Sequence, residues 1–453
     1  MGTDKIFSLK SLKNKCVTQM GLGLLGKGLG DALFLARVGA RLTVTDLKSE
    51  KELASSIKAL KKYKNIRFVL GRHEMEDFES VSYRTDFVLK AQGVPLDSPY
   101  IAHANKNKIP IRMDDELAIS LFPKNITIVG VTGTRGKTTV ATLIHHILKK
   151  SGVRSHLAGN IQGVATLDLV AKVKEGDIVV LELSSWQLQG FHARKISPHI
   201  GVFTNFKDDH LNYYKGSRQK YFFDKSAIFK YQTKNDILIL GSKAPKCLGV
   251  KAKKMIADKK LVPKDWKIKI PGEHNLENIA SALLVAGALG VSITKIKKAV
   301  ESFSGVHGRL QFVKEVRGIK IYNDNSSSTP DSTLTALKAL SKSSTLNDLR
   351  STILILGGAD KGLNMSLLVK AIHKYCKAIV LLDGSGTLKL KVGSITLPFN
   401  YAGNLEDAVA FAMDFAQNGD TVLFSPAFAS FGMFVNVYDR EKEFMKIVGR
   451  LNR

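Results

Sequence analysis

The sequence predicts an α/β protein of three domains, each built on a mainly parallel β-sheet with flanking helices. A chain of 453 residues is about three times as long as an average domain. A short apolar run, a Gly-rich turn and a helical stretch follow one another three times, at 16–40, 126–152 and 351–372. This alternation is typical of βαβ units, and three separate first turns indicate three sheets. The stretches at 122–125 and 304–308, which contain proline or glycine, are the candidate domain boundaries.

The composition is that of a globular protein with a large positive charge. Hydrophobic residues make up 44% of the chain and charged residues 24%, which excludes a mainly disordered protein. The net charge of +28 is compatible with a generally Lys-rich protein or with binding to nucleic acid or another anionic surface. Three cysteines without a CxxC pair argue against a disulfide framework and a zinc site. Without a signal-peptide pattern or an 18-residue apolar run, we expect a cytoplasmic protein with no membrane span.

The segment GVTGTRGKTT at 130–139 carries the strongest functional signal. An apolar run precedes it and a periodic helix follows, so the N–H groups of the turn and of the helix N-terminus would face a phosphate. Lys137 would reach the β- and γ-phosphates of a nucleotide, and Thr138 would offer a hydroxyl to Mg²⁺. The strict pattern GxxxxGK[ST] fails, because Val131 stands where its first glycine belongs. The alternative is a purely structural Gly-rich turn.

A second Gly-rich turn, GLGLLG at 21–26, follows the first apolar run. Asp46 comes about 20 residues later, after the second apolar run, at the place where an acid can bind a ribose. The turn therefore predicts a nucleotide-binding site. The alternative is the tight first turn of any doubly wound sheet, without a ligand.

Three further segments place charged or polar residues beside apolar ones. Glu182 ends an apolar run, where a buried carboxylate would need a cation, although an exposed strand end explains it equally. Ser184 follows and could contact a ligand. His210 is either a metal ligand or a hydrogen-bonded residue. Lys225 lies among aromatic residues, where a low dielectric favours the neutral amine that can react with CO₂ to form a carbamate.

Four motifs occur in the order and spacing of the Mur ligases: GTRGKTT, ELSSWQL, DDHLNYY with Lys225 downstream, and GEHNLENIASAL. The chain therefore resembles this family of ATP-dependent amino-acid ligases of peptidoglycan synthesis over essentially its whole length. Two C-terminal stretches, LGGADKGLNM at 356–365 and SPAFASFGMFVNVYDREKEF at 425–444, resemble the members that add D-glutamate.

The resemblance implies a reaction, its cofactors and a separate ligand for each of the three domains. The substrates would be UDP-N-acetylmuramoyl-L-alanine and D-glutamate, joined at the expense of ATP with Mg²⁺ through an acyl phosphate. A Rossmann-like domain at 1–123 would bind the UDP substrate. A P-loop ATPase domain at 124–305 would bind ATP, and a Rossmann-like domain at 306–453 would bind the amino acid.

The resemblance also implies roles for the residues that match the family motifs. The implied ATP-binding residues are Gly133, Thr134, Gly136, Lys137, Thr138, Thr139, Asn278, Arg309 and Asp324. The implied ligands of two Mg²⁺ ions are Thr138, Glu182, His210 and carbamylated Lys225. The residues implied in catalysis are Lys137, Glu182, His210, Lys225 and Arg309. The implied substrate-binding residues are Gly23, Asp46, Lys48, Gly93, Asn160, Ser184, Lys361 and Ser430.

The amino-acid side departs from the family pattern. Ser326 replaces a lysine, Gly308 interrupts a His-Arg pair, and Gly432 and Val437 replace an aspartate and a phenylalanine. One alternative is therefore a sibling ligase that adds another amino acid. The other is a basic nucleic-acid-binding P-loop ATPase, which would leave the motifs after residue 180 unexplained. We expect a monomer that acts without nucleic acid.

Overall fold

The fold contains three β-sheets with flanking helices, which confirms the predicted α/β class. The computed structural model describes residues 9–24, 26–79, 85–161, 163–210, 213–247, 249–341, 350–390, 396–430, 432–434 and 436–452. The chain divides into two compact units, Met1–Leu261 with Glu277–Ala299 and Val262–Leu276 with Val300–Arg453. The predicted boundaries after residues 123 and 305 stay predictions, because the first unit holds the first two sheets together.

The first sheet places the GLGLLG turn at its centre. Its strands are β1 (Cys16–Met20), β2 (Arg41–Asp46), β3 (Ile66–Leu70), β4 (Phe87–Lys90) and β5 (Ile111–Arg112). All pairs are parallel, and the order is β3-β2-β1-β4-β5. The chain leaves β1 to one side and returns at β4 on the other, so a crevice opens at the carboxyl ends of these two strands. The turn lies directly after β1, at this crevice.

The second sheet positions the GVTGTRGKTT turn in the same way. Its strands are β6 (Thr127–Thr132), β7 (Ser155–Gly159), β8 (Ile178–Glu182), β9 (Ile200–Asn205), β10 (Ile237–Lys243) and β11 (Lys253–Ala257). They are parallel and follow the order β11-β10-β9-β6-β8-β7. Because β6 lies between β9 and β8, the turn after β6 is flanked by the carboxyl ends of both neighbours. Glu182 ends β8 at this edge.

The third sheet forms the centre of the second unit. Its strands are β12 (Gln311–Val316), β13 (Ile319–Asn323), β14 (Thr352–Gly357), β15 (Cys376–Leu382), β16 (Phe399–Ala402) and β17 (Thr421–Phe424). The order is β12-β13-β17-β14-β15-β16. β12 pairs antiparallel with β13, and the other neighbours in this order pair in parallel.

Four helices begin after a residue whose side chain accepts a backbone N–H of the first turn, namely Ser184, Ser217, Asn404 and Asn436. Asn404 and Asn436 accept such bonds at the start of the helices that follow them, a role for which asparagine is favoured. The helices are α1 (Leu9–Leu12), α2 (Lys27–Arg37), α3 (Ala54–Leu60), α4 (Pro99–Lys106), α5 (Asp114–Leu121), α6 (Lys137–Lys150), α7 (Ser185–Arg194), α8 (Arg218–Ser226), α9 (Glu273–Ala288), α10 (Ile293–Ser302), α11 (Pro330–Ser341), α12 (Ser366–Tyr375), α13 (Leu405–Phe415) and α14 (Val437–Arg450).

Buried apolar residues connect the first two sheets. One cluster contains Val44 of the first sheet and Val179 of the second, so the two sheets share a continuous core. In the second unit, two clusters cover the third sheet, one containing Ile355 and the other Leu354. These neighbouring residues of β14 point to opposite faces, as the period of a strand requires. Within the described ranges, no helix is both long and apolar enough to cross a membrane.

The close approach of β9 and β10 predicts a site where a methyl group is not tolerated. A Cβ atom added to Gly241 in β10 would lie 1.9 Å from the carbonyl oxygen of Thr204 in β9. Because backbone atoms cannot move aside cheaply, Gly241→Ala should lower the free energy of unfolding by about 1–3 kcal/mol in urea denaturation.

Gly287→Ala is the matched control, since no atom lies within 4 Å of a Cβ at this position in α9. It should be neutral or stabilise the protein by about 0.4–1 kcal/mol. Equal stability of the two variants would contradict the close approach.

Candidate active site

The turn after β6 forms the predicted phosphate-binding loop at the start of α6. Gly136 precedes the helix with φ of 85°, a left-handed conformation that glycine adopts without strain. A Cβ there would meet the side-chain oxygen of Asn278 at 2.5 Å. A Cβ on Gly133 would meet the hydroxyl of Thr204 at 2.0 Å. The loop is therefore enclosed on both sides, and the predicted residues Gly133, Gly136 and Asn278 lie together.

Two lysines converge on one carbonyl oxygen of this loop. Lys225 Nζ donates to the Gly133 carbonyl at 2.9 Å, and Lys137 Nζ donates to it at 3.2 Å. Lys137 also donates to the carbonyl of Thr134. Thr138 and Thr139 follow in the first turn of α6, where both are half-buried. The predicted ATP-binding residues of the first unit thus lie around the ammonium group of Lys137, whose positive charge suits a triphosphate.

The environment of Lys225 favours its neutral form. The side chain is 1% exposed, and its nitrogen lies 4.8 Å from the centre of the Tyr221 ring. Burial and the charge of Lys137 hold the pKa of Lys225 well below its usual range, although Asp209, Asp224 and Glu182 oppose this shift. A neutral amine is a nucleophile, so the structure meets the chemical requirement for carbamate formation.

The segment that carries His210 is fixed to the phosphate loop by an ion pair. Arg135 of the loop and Asp209 lie 3.1 Å apart. The His210 ring packs on Trp186 with their centres 4.8 Å apart, and burial lowers its pKa, with Asp209 opposing. A lowered pKa keeps the imidazole neutral, which is the form that binds metal ions.

One carboxylate oxygen of Glu182 accepts no hydrogen bond from the described residues. Asn160 Nδ2 donates to Glu182 Oε1 at 3.2 Å, whereas Oε2 is buried without a hydrogen-bond partner among the described residues. A buried carboxylate oxygen of this kind is satisfied by a cation, so the residues present are compatible with Mg²⁺. In the described part of the chain, no group of three or more His, Cys, Asp or Glu residues could hold a metal ion. The predicted site is different, because it relies on Thr138 and a modified Lys225 beside Glu182 and His210.

A cavity of about 410 Å³ opens at the crevice of the first sheet. Four predicted substrate-binding residues line it, namely Gly23, Asp46, Lys48 and Gly93. Six further lining residues were not among the predicted site residues, namely Leu24, Lys27, Leu47, His73, Lys90 and Trp186. Of these, Leu24 and Trp186 lie in the GLGLLG and ELSSWQL motifs. Gln92, another lining residue, donates to Asn160 Oδ1 at 3.4 Å. Asn160 therefore connects the cavity to Glu182 beside the phosphate loop.

Asp46 holds the GLGLLG turn in place. Its Oδ2 accepts the N–H groups of Leu22 and Gly23 at 2.8 and 2.9 Å, and Oδ1 accepts that of Lys48 at 2.9 Å. Burial alone would raise the pKa of Asp46, but these three donors more than offset it and the pKa lies below the ordinary value. Asp46 lines the cavity and also organises the turn, and its predicted contact with the nucleotide stays a prediction.

Ser184 occupies the first position before α7 and caps that helix. Its Oγ accepts the N–H of Gln187 at 3.2 Å, and the Gln187 side chain accepts the N–H of Ser184 at 2.8 Å. This reciprocal capping box explains the residue without a ligand. Its predicted contact with the substrate stays a prediction.

A buried polar network beside Asn160 was missed by the sequence reasoning. Lys27 pairs with Asp114 at 2.7 Å and with Asp115 at 3.4 Å, and it donates to the carbonyl of Gly159 at 3.1 Å. The side chain of Gln187 donates to Asp115. The acidic residues resemble those of any first helical turn, so no local signal distinguishes them.

The remaining predicted residues belong to the second unit. Asp324 is buried and accepts from Leu310 N at 2.9 Å and Ser425 Oγ at 2.7 Å, while burial raises its pKa to about 6. Lys361 Nζ donates to Ser328 Oγ at 2.9 Å. A backbone bridge between residues 359 and 429 brings the segments of Lys361 and Ser430 side by side. Arg309 lies just before β12, in a tight backbone bridge with Val306.

Comparisons with known proteins agree with the motifs. The Mur ligase middle domain matches residues 131–262, and the Mur ligase, glutamate ligase domain matches residues 308–428. The UDP-N-acetylmuramoylalanine--D-glutamate ligase of Borreliella afzelii (strain PKo) is 36% identical over 469 residues, which cover 98% of this chain and 99% of the relative. The ligase of the same name from Roseiflexus sp. (strain RS-1) is 33% identical, with coverage of 96% and 99%.

Solved structures share the fold at low sequence identity. The UDP-N-acetylmuramate-alanine ligase MurC from Thermotoga maritima has a TM-score of 0.61 at 18% identity and covers 96% of this chain and 99% of its own. The MurF ligase from Thermotoga maritima in complex with ADP also has a TM-score of 0.61 at 18% identity, with coverage of 97% and 99%. Fold and site together define an α/β enzyme with a phosphate-binding loop. Because a relative is 36% identical over nearly the full length and two family domains match, the chain belongs to the Mur ligase family.

The hydrogen bonds of Asp46 predict a pH-dependent contribution to stability. Asp46→Asn should lower the free energy of unfolding at about pH 7 by roughly 1–3 kcal/mol, because the variant loses the carboxylate that accepts the backbone N–H groups of the turn. The folded pKa is depressed, so this contribution is present above the ordinary value of 3.8 and is lost as the pH falls below it. The difference between wild type and variant should therefore shrink towards about pH 3 in urea denaturation.

Glu50→Gln is the control, since Glu50 is 70% exposed and its ion pair with Lys61 spans 3.7 Å. It should change the stability by no more than about 0.5 kcal/mol at either pH. A deficit of Asp46→Asn that is the same at both pH values would contradict the assignment.

Proposed function

We propose that the chain joins D-glutamate to the alanine carboxylate of UDP-N-acetylmuramoyl-L-alanine at the expense of ATP. The observation that carries this proposal is the path from the cavity through Gln92 and Asn160 to Glu182 beside the phosphate loop. A substrate bound by its UDP moiety in the cavity would extend towards a nucleotide bound at the loop. The relatives that match nearly the whole chain bear the name of this reaction, which supports the same conclusion.

The first step is activation of the carboxylate. A carboxylate oxygen of the substrate bonds to the γ-phosphorus of ATP as the bond to the bridging oxygen breaks, which gives an acyl phosphate and ADP. Two anions must approach each other, so positive charge at the phosphoryl group lowers the barrier. The position of Lys137 at the start of α6 supports this role for it. Arg309 is a predicted second cation, and Asp324 a predicted nucleotide contact; both stay predictions.

The second step forms the amide bond. The neutral amine of glutamate attacks the acyl carbon, and a tetrahedral intermediate releases inorganic phosphate as the nitrogen gives up a proton. Lys361 and Ser328, 2.9 Å apart, together with Ser430 offer a cation and hydroxyls to the carboxylates of the amino acid. These groups support glutamate as the acceptor, although Ser326 occupies the position where the family has a lysine.

Magnesium fits the residues around the phosphate loop. Thr138 and Glu182 would hold one ion, and His210 with carbamylated Lys225 would hold a second. Mg²⁺ neutralises phosphate charge and orients the transferring group when it is bound. Carbamylation turns the amine of Lys225 into an anion, so Lys225 would then attract the ammonium group of Lys137.

A location in the cytoplasm and a monomeric state belong to the same proposal. ATP and a UDP-linked substrate are both expected in that compartment. A sibling ligase with another acceptor and a nucleic-acid-dependent ATPase are the alternatives that the test must separate.

The test is phosphate release with ATP, UDP-N-acetylmuramoyl-L-alanine and a panel of amino acids. D-glutamate should support the fastest turnover, and L-glutamate, glycine, lysine and diaminopimelate should be poor acceptors. Faster turnover with a neutral or basic amino acid would overturn the acceptor but not the ligase chemistry. Turnover that needs nucleic acid and ignores the UDP substrate would overturn the function.

Lys137→Ala should lower ATP turnover by roughly 100-fold or more, because it removes the charge beside the phosphoryl group. Binding of the UDP substrate should persist, since the cavity lies on the first sheet. Initial rates and calorimetric titration measure the two effects separately. Lys149→Ala, an exposed lysine at the other end of α6, is the control and should retain activity. Near-normal ligation by Lys137→Ala would refute the assignment of the loop.

Lys225→Ala should lose activity by about 100-fold and regain part of it with formate or acetate, which can replace the carbamate as an anion. Lys225→Arg should lose activity without rescue, because the guanidinium fills the space with positive charge. Lys220→Ala, an exposed lysine in α8, is the control and should need no rescue. If carboxylates rescue neither Lys225 variant, the lysine has no carbamate role.

A further inference from the structure

Lys90 is a buried cation that neither the sequence nor the reaction scheme accounts for. It is the last residue of β4, it lines the cavity of the first sheet, and its side chain is 1% exposed. Burying an ammonium group is costly unless opposite charge or hydrogen-bond acceptors compensate it. Its surroundings therefore indicate what it binds.

Lys90 is bound by carbonyl oxygens and not by a carboxylate. Its Nζ donates to the carbonyl of Val94 at 2.7 Å and to that of Ala91 at 3.3 Å. Within the described ranges no carboxylate forms an ion pair with it. An ammonium group has three donors, so one remains for a ligand in the cavity. The neighbouring Lys27 differs, because Asp114 and Asp115 already neutralise it.

The charge of Lys90 is poorly compensated in the free protein. Burial lowers the pKa of Lys90 to about 8, while Asp224 on α8 and Asp114 on α5 oppose the shift from a distance. The charged form is thus only weakly favoured at neutral pH, and an anion in the cavity would stabilise it.

The GLGLLG turn does not offer all of its donors to an anion. Its N–H groups at Leu22 and Gly23 donate to Asp46, and this carboxylate adds negative charge to the same wall of the cavity. A diphosphate bound there needs positive charge from another element. The turn at 91–94, which contains Gly93, lies beside the GLGLLG turn, since a Cβ added to Gly21 would lie 2.8 Å from the Cβ of Ala91, and Lys90 holds it there through two carbonyl groups.

We propose that Lys90 binds the diphosphate of the UDP substrate with its free donor and positions the 91–94 turn against it. The inference rests on the proposed function, since that function puts a nucleoside diphosphate in this cavity. Lys90 is then both a binding residue for the diphosphate and a support for the turn that contains Gly93.

The test compares UDP with uridine, which lacks the phosphates, as ligands of Lys90→Met. Isothermal titration and competition should show UDP affinity lowered by about 10- to 150-fold, the effect of losing a hydrogen bond to a charged group. Uridine affinity should stay within about twofold, because the nucleoside does not meet Lys90. The KM for the UDP substrate should rise by the same factor as the UDP affinity falls, with kcat little changed.

Two further variants make the result unambiguous. Lys106→Met removes an exposed lysine at the end of α4 and should alter neither affinity. Lys90→Gln retains a donor for the carbonyls without the charge, so it should keep uridine affinity and lose UDP affinity even if Lys90→Met folds poorly.

Equal losses for UDP and uridine in Lys90→Gln would show a purely structural lysine, and no loss of UDP affinity would show an uninvolved one. Either result overturns the inference while the proposed function stands. Failure of the wild-type protein to bind UDP would instead overturn the proposed function.

Discussion

The convergence of Lys137 and Lys225 on the carbonyl oxygen of Gly133 governs the candidate active site. Two ammonium groups so close together in a dry environment repel each other strongly. One of them must therefore lose its proton or acquire an anionic partner. The lowered pKa of Lys225 favours the first outcome before modification, and a carbamate or a bound phosphate supplies the second. The proposed binding of the nucleotide and of Mg²⁺ would both depend on how this repulsion is resolved.

Two incompletely satisfied groups of the first unit lie at the carboxyl ends of strands in its parallel sheets. Glu182 ends β8 with a buried oxygen that lacks a hydrogen-bond partner among the described residues, and Lys90 ends β4 with a donor to spare. Most buried polar groups in proteins are satisfied, so such exceptions at strand ends indicate contacts that a substrate or metal completes. Asn160 lies between these regions, bonded to Glu182 and to Gln92. The core that the two sheets share therefore keeps the cavity and the phosphate loop at fixed positions relative to each other.

Features that depend on neighbouring residues could be predicted from the sequence, whereas contacts between residues far apart in the chain could not. Both Gly-rich turns and the strands before them could be predicted, since apolar runs and glycines act locally. The capping of α7 by Ser184 and the bonds from Asp46 to its own turn required the fold, although both residues were singled out. Lys90 ends an apolar run, as many surface lysines do. Its burial could not be predicted, because it depends on a turn that folds over it. Arg440, buried against Asn325 and 115 residues away from it, could not be predicted for the same reason.

We propose that the buried amine of Lys225 is neutral and reactive before modification and reacts with CO₂ to form a carbamate, with release of a proton. Carbon-13 NMR of the protein in labelled bicarbonate tests it most directly, because the carbamate carbon derives from the added label. The wild-type protein should show one protein-bound carbamate signal, which Lys220→Ala retains and Lys225→Ala lacks. Absence of this signal from the wild type, under conditions in which the enzyme turns over, would contradict the claim.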